Sequence, residues 1–191
     1  MTGPYWEIIS GCWVAFWVYW TISARRTHAP KRQVPLVFTV LNTGLLYLGF
    51  VFVLVGGRFD TGPLALRFAP AAAYVDVTGT ALGAAGVALA IWSRRVLGAN
   101  WSGAVRIVEG QHLVRSGPYA IVRNPIYSGM ALAMLGTGLV RGTVGALLGV
   151  AIVVLSLWQK GRMEERFLLA EFGDDYAAYR REVKSLIPFI L

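Results

Sequence analysis

Apolar positions fall into five long runs. A bilayer core of about 30 Å asks for roughly 20 apolar residues per helix. The runs Trp6–Ala24, Val34–Gly56, Ala71–Leu97, Pro125–Val140 and Gly142–Gln159 meet or approach that length. The fourth is short, and Arg141-Gly142 joins it to the fifth as a tight hairpin. Two polar segments remain, Gly98–Asn124 and Lys160–Leu191. In the first, apolar and polar residues alternate in Val105-Arg106-Ile107 and in Leu113-Val114-Arg115, which predicts a short hairpin or an irregular lid. Ser116-Gly117-Pro118 is a turn signal, and Asn124-Pro125 opens the fourth helix with proline in its first turn. The second polar segment extends the fifth helix through Phe172, where Gly173 stops it. A further helix, Asp174–Lys184, starts with acids, as the helix dipole favours. Its stripe of Tyr176, Tyr179 and Val183 is built to lie on the membrane surface or on the bundle, and Pro188 ends the segment.

Composition agrees with the pattern. Of 191 residues, 56% are apolar and only 15% charged, with a mean hydropathy of +0.57. A soluble domain is nearer a quarter charged. An ordinary soluble globule, a disordered chain and a disulfide scaffold are excluded. The expected fold is an all-α integral membrane domain covering 1–191, with about five transmembrane helices and a cytoplasmic C-terminal helical extension. Residues 1–97 supply three spans; 98–191 supply a loop, a helical hairpin and the C-terminal helices. The net charge of +8 then faces anionic lipid head groups rather than nucleic acid. Of 18 Lys and Arg, one side of the predicted topology holds only Arg58, Arg67 and Arg141. The positive-inside rule therefore places the N-terminus outside and the C-terminus in the cytoplasm, in the cell membrane if the source is bacterial. Met1–Ile9 has no basic stretch before its apolar residues and reads as a first span, not a cleaved signal. Cys12, the single cysteine, has no internal partner.

Several residues stand out chemically. No glycine-rich loop follows a strand, so no dinucleotide or P-loop signature exists. His28 and His112 lie in different loops, and no metal site is expected. Gly136-Thr137-Gly138 sits inside the fourth helix, where glycines more often let helices pack closely than hold a cofactor. Glu164 and Glu165 follow the fifth span near the head groups, a costly depth for a carboxylate unless it is paired or functional. Pairing with Lys160, one turn back from Glu164, is one reading; a receptor for a cationic ligand such as an ammonium is the other. Tyr119, Arg123, Asn124 and Tyr127 crowd the start of the fourth helix. They form either an interfacial anchor or a polar ring around an anion at a helix N-terminus. Asp76 near the start of the third helix is read as hydrated, and Asn42 and Thr43 as interhelical hydrogen-bond partners.

The run Gln111-His112-Leu113-Val114-Arg115-Ser116-Gly117-Pro118-Tyr119-Ala120-Ile121-Val122-Arg123-Asn124-Pro125-Ile126-Tyr127-Ser128-Gly129 resembles the isoprenylcysteine carboxyl methyltransferase family. Glu164-Glu165-Arg166-Phe167-Leu168, then Glu171-Phe172-Gly173-Asp174-Asp175-Tyr176, Tyr179 and Leu186-Ile187-Pro188, resemble it too. The likeness covers roughly Trp101–Pro188. It implies an integral membrane enzyme that uses S-adenosylmethionine in a pocket without a Rossmann fold. By resemblance, Gln111, His112, Leu113 and Val114 contact the cofactor largely through backbone. Gly117, Tyr119, Asn124, Pro125, Ile126 and Tyr127 line the pocket. Glu164, with Glu165 beside it, meets the methionine ammonium, and the first N–H groups of the fourth helix suit its carboxylate. Lys160 falls near the substrate. Eukaryotic members carry Arg-His-Pro where this chain has Arg123-Asn124-Pro125; asparagine keeps the hydrogen bonding but cannot carry a proton charge.

The resemblance implies a lipophilic or lipid-modified acceptor, most simply a carboxylate such as that of a prenylcysteine. A carboxylate is ionised at neutral pH and needs no general base. Arg123 or Lys160 is placed to orient it. Related membrane methyltransferases act on phospholipid amines or small thiols. Two other classes compete: an NADPH-dependent sterol reductase type, which usually has more helices, and a non-catalytic transporter or scaffold, which leaves the motif spacing unexplained.

Overall fold

The computed structural model describes residues 3–24, 30–33, 35–56, 60–98, 106–108 and 113–187. Five helices carry the fold: α1 (Pro4–Ala24), α2 (Leu36–Leu54), α3 (Ala73–Leu97), α4 (Pro125–Arg141) and α5 (Val144–Glu182). They coincide closely with the five apolar runs. Two short strands, β1 (Pro30–Gln33) and β2 (Arg106–Val108), form an antiparallel ribbon. The alternation at Arg106 does mark a strand, but its partner is the segment after α1, not Leu113–Arg115, which precedes a 3-10 turn at Gly117–Ala120. A strand's pairing partner is not written in its own alternation.

Three helices, α2, α3 and α5, are long and apolar enough to cross a membrane. The two other runs expected to span are weaker: α4 has 17 residues, and the 21 residues of α1 include Glu7 and four interface-prone tryptophans, Trp6, Trp13, Trp17 and Trp20. The apolar side chains left exposed are those a lipid-facing surface needs. They include Val14, Val18 and Ile22 on α1, Leu36, Val37, Val40 and Leu41 on α2, and Leu147, Leu148 and Leu155 on α5.

Lipid tails are as apolar as leucine, so helices here associate by close packing and a few polar contacts. Small residues provide the closeness. Gly79, Gly83 and Gly86 of α3 face Gly129, Ala133 and Gly136 of α4. A Cβ on Gly129 would come within 2.7 Å of the Gly86 carbonyl oxygen and the Ala90 nitrogen. Gly136 and Gly138 thus serve packing: the first against α3, the second against Val150 of α5. A second seam joins α2 to α5, where Gly49 and Gly149 approach each other backbone to backbone. There Asn42 donates to the Ser156 carbonyl at 3.0 Å, as an interhelical partner should. Thr43 is exposed, and among the described residues no interhelical partner faces it. On α1, Trp13 Nε1 donates to Thr137 Oγ1 of α4 at 3.0 Å, and Trp13 meets Phe16 and Phe50 edge to face. Asp76 lies in the first turn of α3.

The α4–α5 hairpin turns on Gly142, whose φ of 68° a side chain would strain. Thr143 then caps α5, accepting from the Ala146 N–H at 3.2 Å and donating to Asp60 Oδ2 at 2.8 Å. The 39 residues of α5 would reach about 58 Å if straight, nearly twice a bilayer core. The apolar part ends at Trp158, and the charged remainder from Lys160 projects beyond it. Gly173, at φ 51°, breaks the helix as expected. The arm beyond the break ends at Glu182, two residues before the predicted end. Tyr176 and Tyr179 are buried, so their stripe lies on the bundle and not on the membrane surface.

Candidate functional site

Two segments far apart in sequence meet where α4 begins. One is the 3-10 turn with the start of α4; the other is α5 from Lys160 to Glu165. Helix α4 starts at Pro125, whose fixed φ suits a first helical position. Asn124 stands at the N-cap, yet its side chain makes no capping bond. Its Nδ2 donates instead to Glu165 Oε1 at 3.3 Å and to Ser185 Oγ at 3.0 Å. Three residues on, the ring of Tyr127 points at α5, near the place where a Cβ on Gly161 would stand.

The adjacent glutamates face different neighbours. Glu164 accepts from the Tyr127 hydroxyl at 2.6 Å. Lys160 Nζ lies 5.7 Å from the centre of the same tyrosine ring and acts electrostatically on Glu164. Burial lifts the Glu164 carboxyl above its ordinary range, against the Lys160 charge and the Tyr127 bond, while Glu165 adds to the rise. Both readings of Glu164 therefore remain compatible: it has a cationic neighbour, and it is a desolvated carboxyl that a cation would stabilise as an anion.

Glu165 is occupied elsewhere. Arg123 Nη2 lies 2.8 Å from its Oε1 and Arg123 Nε 2.9 Å, with Ser185 Oγ at 3.1 Å. Arg123 also donates to the Arg180 carbonyl at 3.2 Å and to the Val183 carbonyl. The backbone N–H groups of Arg123 and Asn124 donate to the Lys184 and Ser185 carbonyls at 2.8 and 2.9 Å. Ser128 Oγ donates to the Leu186 carbonyl at 2.6 Å. The segment Val183–Ile187 is thus strapped across the start of α4.

Tyr119 is buried, its hydroxyl reaching the Ser93 carbonyl of α3 at 3.4 Å while its carbonyl accepts from Tyr179 at 2.5 Å. Burial raises the Tyr119 hydroxyl far above a free phenol, so it stays protonated. Gly117 adopts φ 60° against Val96 and Trp92 of α3. Leu113 and Val114 are half-buried just before it, and Ile126 and Pro125 are buried in the first turn of α4. Gln111 and His112 lie outside the described residues. The helix start is less open to an anion than the sequence implies. Pro125 has no N–H, and those of Tyr127 and Ser128 both donate to the Asn124 carbonyl at 3.0 Å. The first-turn amides that can face a carboxylate narrow to that of Ile126. Among the described residues, no group of three or more His, Cys, Asp or Glu is arranged to hold a metal ion.

Sequence reasoning missed Ser185 and Ser128, whose contacts depend on a strap that turns back by some sixty residues. It also grouped Arg123 with the substrate and Glu165 with the cofactor, where the fold pairs them with each other. No local signal separates two consecutive glutamates; only the helix rotation of about 100° between them does.

This helical bundle, with its polar cluster built from a turn and a helical extension and with three helices able to cross a membrane, has no dinucleotide-binding sheet among the described residues. The family model described as phospholipid methyltransferase matches residues 75–175, just over half of the chain, and the chain belongs to that family. The protein-S-isoprenylcysteine O-methyltransferase of Schizosaccharomyces pombe is 39% identical over 79 residues, covering 41% of this chain and 34% of that protein. Methanethiol S-methyltransferase 1 of Bradyrhizobium diazoefficiens is 37% identical over 71 residues, 37% of this chain and 24% of that protein. Protein-S-isoprenylcysteine O-methyltransferase B of Arabidopsis thaliana is 32% identical over 87 residues, 45% and 44% of the two chains. The matches span from about a quarter to under half of these relatives' own length.

Proposed function

We propose that the protein is an integral membrane methyltransferase that takes its methyl group from S-adenosylmethionine. The observation that carries this reading is the meeting of Glu164, Tyr127 and Lys160 at 2.6 Å and 5.7 Å, inside the region that matches the family. The residues fit such a cofactor: a desolvated carboxyl for its ammonium, and an enclosing wall of Tyr127, Ile126 and Tyr119. When bound, it supplies an electrophilic methyl group on a sulfonium. The chain's own part is then to hold Glu164 with the Tyr127 hydroxyl, to exclude water with buried aromatic rings, and to aim the acceptor. Lys160, one turn from Glu164 on α5, is the residue placed to orient an anionic acceptor. Positioning and desolvation suffice for an acceptor that is already ionised.

The acceptor proposed is a lipophilic carboxylate of the prenylcysteine kind, reaching the site from the bilayer between helices. Five spans, with the N-terminus outside and the site at the cytoplasmic surface, complete the reading. The match to a methanethiol S-methyltransferase favours a second acceptor, a small thiol. A thiol must lose its proton first, since its free pKa is near 8.5.

Calorimetric titration of S-adenosylhomocysteine into detergent-purified protein, with NADPH in parallel, tests the cofactor. Micromolar binding of the former alone is expected. Binding of NADPH alone, or of neither by folded protein, would remove the methyltransferase reading. Competition between an S-prenylated N-acylcysteine and methanethiol for methyl transfer then decides the acceptor.

A further inference from the structure

We infer that Arg123 and Glu165 are positioning residues: they clamp the strap Val183–Ile187 onto the start of α4 and thereby fix Tyr127 against Glu164. The inference rests on the methyltransferase reading for its last link only; the clamp stands on geometry alone.

The arrangement is over-determined. Arg123 and Glu165 are both about nine-tenths buried, with side-chain exposures of 8% and 10%. Glu165 Oε1 gathers donors from three side chains, Arg123, Asn124 and Ser185. Among the described residues, Oε2 has a distant approach from Arg180 at 4.0 Å. On the other side, the guanidinium of Arg123 serves the Val183 carbonyl of the strap and the Arg180 carbonyl at the end of α5 as well as the carboxylate. A planar fork with five N–H groups can do this; a lysine cannot. The donors of Arg123 go to Glu165, the strap and the last turns of α5, Tyr176 included, and a guanidinium engaged this way has little left for an acceptor molecule.

The consequence reaches the site through Asn124. An N-cap asparagine ordinarily turns its side chain to the helix's own N–H groups. Here the side chain is drawn to Glu165 and Ser185, so the direction in which α4 leaves its cap depends on the clamp. Tyr127 sits in that first turn, its ring against Gly161 and its hydroxyl on Glu164. Loosening the strap frees the turn that holds the hydroxyl.

The test has two arms. Without ligand, trypsin cleavage at Arg180, Arg181 and Lys184 reads strap closure. Arg123→Ala and Glu165→Ala are each expected to speed cleavage about tenfold, with Glu165→Gln intermediate because its amide oxygen still accepts. Calorimetry with S-adenosylhomocysteine reads the link to the site. Each alanine variant is expected to weaken binding about tenfold, and the double variant to be no worse than the weaker binder of the two, since removing both partners leaves no unpaired buried charge. Additive losses, or Glu165→Gln as damaging as Glu165→Ala, would make Glu165 a direct ligand contact and overturn the inference. So would unchanged cleavage and binding. Should either alanine variant fail to fold, Ser185→Ala removes one strand of the clamp, with about threefold faster cleavage expected and none overturning the inference. Faster cleavage in the variants of a protein that binds no S-adenosylhomocysteine would keep the clamp, while refuting both its link to the site and the methyltransferase reading.

Discussion

Along its length α4 meets α3 chiefly through glycine and alanine, backbone against backbone. At its start α4 meets α5 and the C-terminal strap through the Arg123 guanidinium, the Glu165 carboxylate, the Asn124 side-chain amide and the hydroxyls of Ser128 and Ser185. The first contact leaves little room for side chains; the second depends on them, with backbone bonds beside them. A glycine seam has no spare volume, and any added atom must move a backbone. The polar cluster can lose a bond and keep its shape, because its members hold one another by several contacts. Damage at the seam should therefore cost the fold, and damage at the cluster should cost the ligand.

The sharpest way to break that contrast is Gly86→Leu. A Cβ there would collide with the Ala133 nitrogen and the Gly129 carbonyl oxygen, which belong to backbone and cannot rotate away. Destabilisation of about 3 kcal/mol or more is expected, since overpacking of a rigid contact exceeds the usual cost. Thermal unfolding and size exclusion in detergent measure it. A variant that melts at the parent temperature would show that α3 and α4 are not closely packed.

Next in size is Glu164→Gln, which should leave the melting temperature nearly unchanged. Affinity for S-adenosylhomocysteine should fall by about 1.5–3 kcal/mol, the scale of a charge-assisted hydrogen bond, or about tenfold to 150-fold. Unchanged affinity in folded protein would remove Glu164 from the site.

The same carboxyl makes a pH test. Its pKa in the free protein is raised, mainly by burial. An ammonium bound beside it favours the ionised form, so binding should release a proton near the raised pKa. Affinity then climbs with pH, by at most about tenfold per unit for one proton, and levels off once Glu164 is ionised in the free protein. Stability of the unliganded protein runs the other way. A folded-state pKa above the unfolded one means the folded form binds more protons, so this contribution declines as pH rises from the unfolded pKa through the folded one. Titrations in buffers of different ionisation enthalpy count the proton, and Glu164→Gln should abolish the release. Proton release that persists in that variant would assign the linkage to another group.

Much of this was legible in the sequence because it depends on local periodicity. Apolar runs mark helices wherever the neighbours sit, Pro125 and Gly173 act within one turn, and the motif around Tyr119 and Tyr127 carries the family resemblance by its spacing. What the sequence hid is relational. The strand at Arg106 pairs with Pro30–Gln33 because of how two loops meet. Likewise, Arg123 finds Glu165 because α5 extends beyond the membrane run and the chain then folds back. Glu164 and Glu165 look alike on the page; the bundle turns one to Tyr127 and the other to Arg123.

The far end of α4 offers the smallest and cleanest test. There Thr143 does two things at once: its oxygen accepts from the first turn of α5, and its hydroxyl donates to Asp60. Among the described residues nothing at that end touches Glu164, which lies about six turns along α5. Thr143→Ala should lower stability by about 1 kcal/mol, the ordinary worth of an N-cap. Thr143→Ser keeps both bonds and should stay close to the parent. Neither should change S-adenosylhomocysteine affinity once measured on folded protein. A tenfold loss of affinity in Thr143→Ala would mean that the cap at one end of the hairpin reaches the polar cluster at the other, and the division between a packing region and a ligand region would have to be given up.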